Sequence, residues 1–403
     1  MSNETKSYLS SALYNVGFMF CTGAIVQTFL LKIGFSALQV YFYNSLVQMA
    51  QVAMMVAMIF ISPRIKKVKL VTGISYLSPL MLAVILLLSA IIPSLAGNTL
   101  IILIFAISFV CFLGTGVYSV IAYCVPYYTI DMSRYARFIS LQMVFAGAAN
   151  FTFSSLHTLA TANFDYMSVM AIFFCIAVLC FILASIFCIS MKENKELERT
   201  NGSSKEDYIA VFKNKDTYIL LIPNFTRGLA AGIVAVIAVI AISNSIVDER
   251  SSSYINIAMQ VAMLLGNIFF AVCCKKLSTR RLLLISTIGG SVFLPLCLAF
   301  DMGGFLAVFF IAYFFRMILD TALPVVVTEI IPREQIGAYT SIRMLVFTGA
   351  QAVAALLITP IVNNVGYVGL LIFAAAMQFI CGIVYYAVAR ARKKKLLTVK
   401  NTR

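Results

Sequence analysis

The chain is 403 residues long, 62% hydrophobic and only 11% charged, with a formal net charge of +15. A soluble globular domain carries about a quarter of its residues charged, so no soluble domain is expected. The basic surplus is spread over alternate short loops instead of forming one patch, which argues against a nucleic-acid partner and for a membrane surface.

Cutting the chain at its charged and Pro/Gly/Asn-bearing breaks leaves about twelve apolar stretches, each near the ~20 residues that cross a bilayer as a helix. They run near 11–31, 38–61, 70–92, 99–124, 138–160 and 168–190, then 218–245, 254–273, 281–300, 305–327, 340–360 and 367–389. The first follows a weakly charged leader, Glu4 against Lys6, and carries Asn15 and Gln27, a poor signal-peptide core, so it is read as a retained helix. The expected fold is therefore all-α and polytopic, with about 12 transmembrane helices in two six-helix bundles. The division is residues 1–190 for the N-terminal bundle, 191–217 for a cytoplasmic central loop, 218–390 for the C-terminal bundle and 391–403 for a basic tail.

Alternating these stretches across a membrane places the basic clusters on one side. They are Arg64 to Lys69, Arg134 and Arg137, Lys192 to Lys215, Lys275 to Arg281, Arg333, and Arg390 to Arg403. The opposite loops hold only Lys32 and Arg250 among Asp165, Asp248, Glu249 and Asp301. The positive-inside rule then puts both termini and the central loop in the cytoplasm of a plasma (inner) membrane protein. The tail Arg390-Ala391-Arg392-Lys393-Lys394-Lys395 is expected to lie against anionic headgroups. The ten cysteines show no C-x-x-C or Cys/His spacing, so neither a metal site nor a disulfide framework is expected.

The halves echo each other. Pro126 precedes Asp131 by five residues, and Gln142-Met143-Val144-Phe145-Ala146-Gly147-Ala148 follows; Pro324 precedes Glu329 by five, and Arg343-Met344-Leu345-Val346-Phe347-Thr348-Gly349-Ala350 follows. A basic turn occupies the same place in each half, at Pro63 to Lys69 and Cys274 to Arg281. Two such repeats with a substrate site near the midplane are a transporter pattern.

With the segment from Leu323 to Gly337 between spans 10 and 11, this layout resembles the major facilitator superfamily over nearly its whole length. The first-half turn Ser62-Pro63-Arg64-Ile65-Lys66-Lys67-Val68-Lys69 departs from that family's Gly-x-x-x-Asp-Arg-x-Gly-Arg-Arg form. Tyr123-Cys124-Val125-Pro126-Tyr127-Tyr128, followed by Asp131 and Arg137, is similar to the loop after span 4 in glycoside-pentoside-hexuronide:cation symporters. The acidic pair that those symporters carry on span 2 is absent, since Tyr41 to Met58 hold no acid. The resemblance implies the major facilitator fold, with spans 1, 4, 7 and 10 lining a central cavity.

Ionisable residues inside a bilayer are costly and each is a functional candidate. Arg316 and Asp320 fall four residues apart on span 10, hence on one helix face. Asp320 is read as the proton- or cation-sensing carboxylate and Arg316 as its partner or an anion anchor; a static ion pair is the structural alternative. Arg227, after Asn224 on span 7, is read either as a binder of a substrate acid group or as a side chain snorkelling to the surface. Asn15, Gln27, Gln48, Tyr118, Tyr123, Gln260 and Gln351 complete the expected polar lining, with interhelical hydrogen bonding as the alternative for each. Asp131 with Arg134 or Arg137, and Glu329 with Arg333 or Arg343, are read as charge pairs that latch an inner gate. His157, the single histidine, is expected near the headgroups.

The function expected is secondary active transport of a small polar solute by alternating access, driven by a proton or sodium gradient, with a sugar or organic anion favoured. Proton-coupled efflux of amphipathic compounds is the competing transport mode. A membrane transferase is the rival of another class, but no paired catalytic groups support an enzyme. No cofactor is expected, and the partners are a small-molecule substrate and membrane lipids, with the chain monomeric.

Overall fold

The computed structural model describes the chain except residues 62–64, 66, 93–96, 122–134, 193–208, 212, 214–218, 249–252, 275, 332–335 and 402–403, and the side chains of 59, 135–137, 139–140, 143, 253, 271, 324, 328–330, 336–338, 340 and 392–401. Among the described residues the regular elements are helices, and they cover all twelve expected stretches. In chain order they are α1 (Asn3–Cys21), α2 (Gly23–Lys32), α3 (Ala37–Ile61), α4 (Val68–Tyr76), α5 (Leu80–Ile91), α6 (Asn98–Ile121), α7 (Tyr135–Asn163) and α8 (Tyr166–Ile189). They continue as α9 (Leu221–Val234), α10 (Ile237–Ser243), α11 (Ser253–Cys273), α12 (Thr279–Leu296), α13 (Met302–Ile330) and α14 (Ile336–Asn401).

Among the described residues seven helices are long and apolar enough to cross a membrane, or eight when the pair α9 and α10 is taken as one span. The apolar part of α14, Ser341–Ala391, has 51 residues, about 75 Å of helix at 1.5 Å per residue and more than twice a hydrocarbon core. Gly366, at φ 70 and ψ −179, interrupts it between the two stretches expected there. That left-handed φ is open to glycine and strained for side-chain-bearing residues. The chain is thus an integral, multi-pass membrane protein.

The chain forms two compact units, Met1–Gly202 with Ala235–Gln260, and Ser203–Val234 with Val261–Arg403. In a lipid solvent the hydrophobic effect does not drive helices together, so close van der Waals packing at small residues and interhelical hydrogen bonds must do so. In the first unit the Ser10 hydroxyl donates to the Ala184 carbonyl (3.0 Å), joining α1 to α8. Gln51 Nε2 donates to Thr115 Oγ1 (3.0 Å), joining α3 to α6. The carbonyls that follow the C-terminus of α8 receive side-chain donors from elsewhere in the unit: Lys6 Nζ reaches Ser190 O, Lys69 Nζ reaches Met191 O (2.8 Å) and Asn3 Nδ2 reaches Lys192 O (2.7 Å).

In the second unit, Gly228 and Gly232 stand one turn apart on α9 and face α14. A Cβ at Gly228 would run into the Phe347 carbonyl and the Ala350 side chain, and one at Gly232 into Ala354 and the Gln351 backbone. Bare glycine surfaces therefore let the two helices approach closely, which sets the position of Arg227 beside them. Below this contact Leu282, Leu283, Ile318, Leu319, Leu323 and Tyr385 pack as a buried core.

Candidate functional site

The second unit brings together three of the charged residues singled out by sequence. Arg227 Nε donates to Asp320 Oδ1 at 2.7 Å, linking α9 to α13. Arg316 Nε lies 3.9 Å from Asp320 Oδ2, beyond hydrogen-bonding distance but within ion-pair range. The expected pair within α13 is thus the weaker contact, and the partner supplied by α9 is the strong one. The reason is geometric: side chains at i and i+4 share a face but point the same way along it, whereas Arg227 approaches Asp320 from a facing helix.

Arg227 is bonded to a carboxylate of its own chain, a partner that neither sequence reading named. It is also stacked over the Phe347 ring, with Cζ 4.7 Å from the centroid, an arrangement that the close approach at Gly228 makes reachable. Arg316 has a looser environment, with Cζ 5.5 Å from the Tyr313 ring centroid. The three charged side chains remain 15–20% exposed, so they are half-sunk and not sealed. Two guanidiniums against one carboxylate leave one positive charge in excess, in a region where an uncompensated charge is expensive.

Asn224, one turn before Gly228, is fully buried and serves as a tie. Its Nδ2 sits 2.6 Å from the Leu220 carbonyl, 2.7 Å from the Tyr385 hydroxyl and 3.1 Å from the Tyr339 hydroxyl. The two tyrosines are both carried by α14, so this knot repeats the α9 to α14 connection made by the glycines. Gln351 is half-buried beside Gly232. Arg343 is also half-buried, its Nε without a hydrogen-bond partner.

The expected lining residues of the first unit are placed differently. Gln27 is fully buried, with Nε2 donating to Asn44 Oδ1 (3.2 Å) and to the Ala235 carbonyl (2.8 Å). Asn15 turns back to its own helix, donating to the Ser11 carbonyl (2.8 Å). Tyr118 packs on Tyr14 and Tyr76, with centroids 4.5 and 5.2 Å away, as one member of an aromatic cluster. Gln48 is half-buried, and Gln260 keeps a buried Oε1 without a partner. Tyr123, Asp131, Arg134 and Arg333, with the side chains of Arg137 and Glu329, lie outside the described residues; so does most of the symporter-like segment from Tyr123 to Arg137.

His157 packs inside the first unit. It is buried, its Nε2 3.2 Å from Met170 Sδ and its ring against Phe173 at 5.1 Å. Among the described residues no three His, Cys, Asp or Glu side chains cluster to hold a metal ion. Sequence reading missed Gln378, Tyr313 and Phe347. Gln378 did carry a signal, a lone amide within an otherwise apolar run of α14, whereas a tyrosine or phenylalanine among so many aromatics carries none.

Residues 220–402 match the sequence model of the Major Facilitator Superfamily. No curated protein matches the chain by sequence. Among solved structures the chain is similar to the nucleoside transporter NupG, at 13% identity and TM-score 0.66, covering 97% of this chain and 98% of that one. It is similar to a D-xylose-proton symporter at 11% identity and TM-score 0.71, covering 95% and 96%. A bacterial homologue of the iron transporter ferroportin in its inward-facing state aligns at 13% identity and TM-score 0.70, covering 96% and 98%. The chain has the major facilitator transporter fold, and its second half carries the sequence signature of that superfamily.

Proposed function

We propose that the chain is a proton-coupled secondary active transporter of a small polar solute, a sugar or an organic acid, exposing its site alternately to the two sides of the membrane. The observation that carries this reading is the Arg227–Asp320–Arg316 cluster: a carboxylate inside a membrane-spanning helix, bonded on one side, loosely held on the other and still partly exposed. A static clamp would be served by one cation and full burial. A carboxylate shared between two guanidiniums is a group whose protonation changes the bonding of its neighbours. When Asp320 takes up a proton, Arg227 loses its charged acceptor, and the bond tying α9 to α13 weakens. A proton thereby alters the contact between two helices that the family resemblance assigns to the transport path. The basic loops support cytoplasmic termini in a plasma membrane, and monomeric function is consistent with this layout.

The test is uptake into proteoliposomes under an imposed pH gradient, using labelled xylose, lactate and glucuronate, for the natural chain and Asp320→Asn. The natural chain is expected to concentrate a transported probe only with the gradient, and the variant to equilibrate it. Equal accumulation by the variant would remove Asp320 from coupling.

A further inference from the structure

A small cavity of about 10 Å³ opens beside Arg316 within the second unit, bounded by α12, α13 and α14 and by Val234 at the end of α9. That is room for about one water-sized atom. Gly290, Leu294, Phe309, Tyr313, Arg316 and Gln378 form most of its wall. On α13, Phe309, Tyr313, Arg316 and Asp320 follow one another at helical spacing, so the residues lining the cavity share the helix face that bears the charged cluster.

The polar groups at this cavity are unevenly supplied. Gln378 is 4% exposed, and its Nε2 has no hydrogen-bond partner. Arg316, the other donor, holds Asp320 only at 3.9 Å, because Arg227 takes the carboxylate at 2.7 Å. Two donors and a surplus positive charge thus meet at a wall otherwise apolar, with no strong acceptor between them. A buried donor left unmade is costly, as is an unbalanced charge. A cation would be repelled, and a neutral hydroxyl would satisfy Gln378 while leaving the charge.

We propose that Arg316 and Gln378 form an acid-group subsite, and that the transported solute is a small carboxylate whose oxygen enters this cavity. The inference rests on the transport reading above and names its substrate class. The guanidinium presents a planar fork matched to a carboxylate, and the apolar walls of Leu294 and Phe309 strengthen that bond by keeping the local dielectric low. The Tyr313 ring, 5.5 Å from Arg316 Cζ, orients the fork. The narrow cavity takes one oxygen and favours a flat carboxylate over a tetrahedral phosphate. Gly290 is part of the design: a Cβ there would collide with Gln378 Nε2, so glycine lets the amide reach the cavity.

The experiment is binding, not transport, on the purified full chain in detergent. Thermal unfolding is followed against acetate, its neutral isostere acetamide, chloride and inorganic phosphate at constant ionic strength. Acetate is expected to raise the midpoint saturably where acetamide and chloride do not, and phosphate less than acetate. Arg316→Gln should abolish the response. Gln378→Leu should raise the half-saturating acetate about tenfold, the weight of one hydrogen bond to a charged group. Gly290→Ala, which displaces the amide without touching the charged cluster, should act in the same direction and serves where Gln378→Leu does not fold. An acetate response no larger than that to acetamide or chloride, an unchanged response in the variants, or a stronger response to phosphate each overturns the assignment. Loss of the acetate effect with Asp320→Asn still uncoupling a transported probe would remove the carboxylate subsite and leave proton coupling. A specific acetate effect with coupling intact in Asp320→Asn would do the reverse.

Discussion

Arg227 Nε meets Asp320 Oδ1 at 2.7 Å across two helices, while Arg316, on the same helix as Asp320, stands off at 3.9 Å. The asymmetry gives the two arginines different jobs. Arg227 is held by a carboxylate and by the Phe347 ring, and Arg316 is left with spare bonding capacity.

Removing both members of the strong pair should cost less than the sum of removing each alone. Arg227→Gln leaves Asp320 with only the distant Arg316, and Asp320→Asn leaves two guanidiniums with no counter-charge. Breaking a buried pair this way costs about 3–5 kcal/mol, and less here because the side chains are about one-fifth exposed. The double variant Arg227→Gln with Asp320→Asn should be more stable than the sum of the singles by at least about 1 kcal/mol. Thermal unfolding of the four proteins in one detergent measures this; additive losses would show that the contact contributes nothing of its own.

The glycine contact between α9 and α14 should tolerate no side chain. Gly228→Leu must displace the Phe347 carbonyl or the Ala350 methyl, with an overpacking loss of about 1–3 kcal/mol. It should also take Arg227 away from Phe347, lowering any Asp320-dependent uptake. Gly303→Ala is the control, since the nearest atom to a Cβ there is 3.9 Å away. An unfolding midpoint for Gly228→Leu equal to that of the control would mean that the helices separate freely.

His157 should be dispensable for coupling. Its ring is packed between Phe20, Phe173 and the Met170 sulfur, so protonation would place a charge in an apolar cluster. His157→Gln is expected to leave the pH profile of uptake unchanged, whatever it does to stability. A displaced profile would restore His157 as a proton carrier.

Much of the architecture was legible because bilayer thickness imposes a length on each apolar stretch. Helices therefore fall at all twelve expected positions. The charged candidates were legible for a similar reason, since Arg227, Arg316 and Asp320 stand out in apolar runs. Their pairing was not. Helical spacing relates Arg316 to Asp320, but nothing in it tells that Arg227, on a separate helix, reaches the same carboxylate. The amides show the converse limit. Gln27 looks like part of a wet lining in sequence, yet in the first unit it bonds to Asn44 and to the Ala235 carbonyl, because an amide pointing at lipid has no partner and one pointing at a helix does.

The charge arithmetic of the cluster predicts how a carboxylate and a proton move together. With Asp320 ionised, the two guanidiniums leave one positive charge in excess; with Asp320 protonated, they leave two. Protonation therefore strengthens the attraction for an anion, and an incoming anion favours protonation of Asp320, since the linkage is reciprocal. Loading one proton with one monocarboxylate returns the site to its starting charge, so the loaded and returning empty forms carry the same charge and the full cycle moves no net charge across the membrane. Uptake of a transported monocarboxylate driven by a pH gradient should then be indifferent to a potassium diffusion potential set with valinomycin, and a neutral sugar carried by the same site should respond to it. Lactate against xylose, in the same proteoliposomes at inside-negative and zero potential, makes the comparison. Lactate uptake that rises with the inside-negative potential would mean that more than one cation travels with each anion, which a single carboxylate at Asp320 cannot supply.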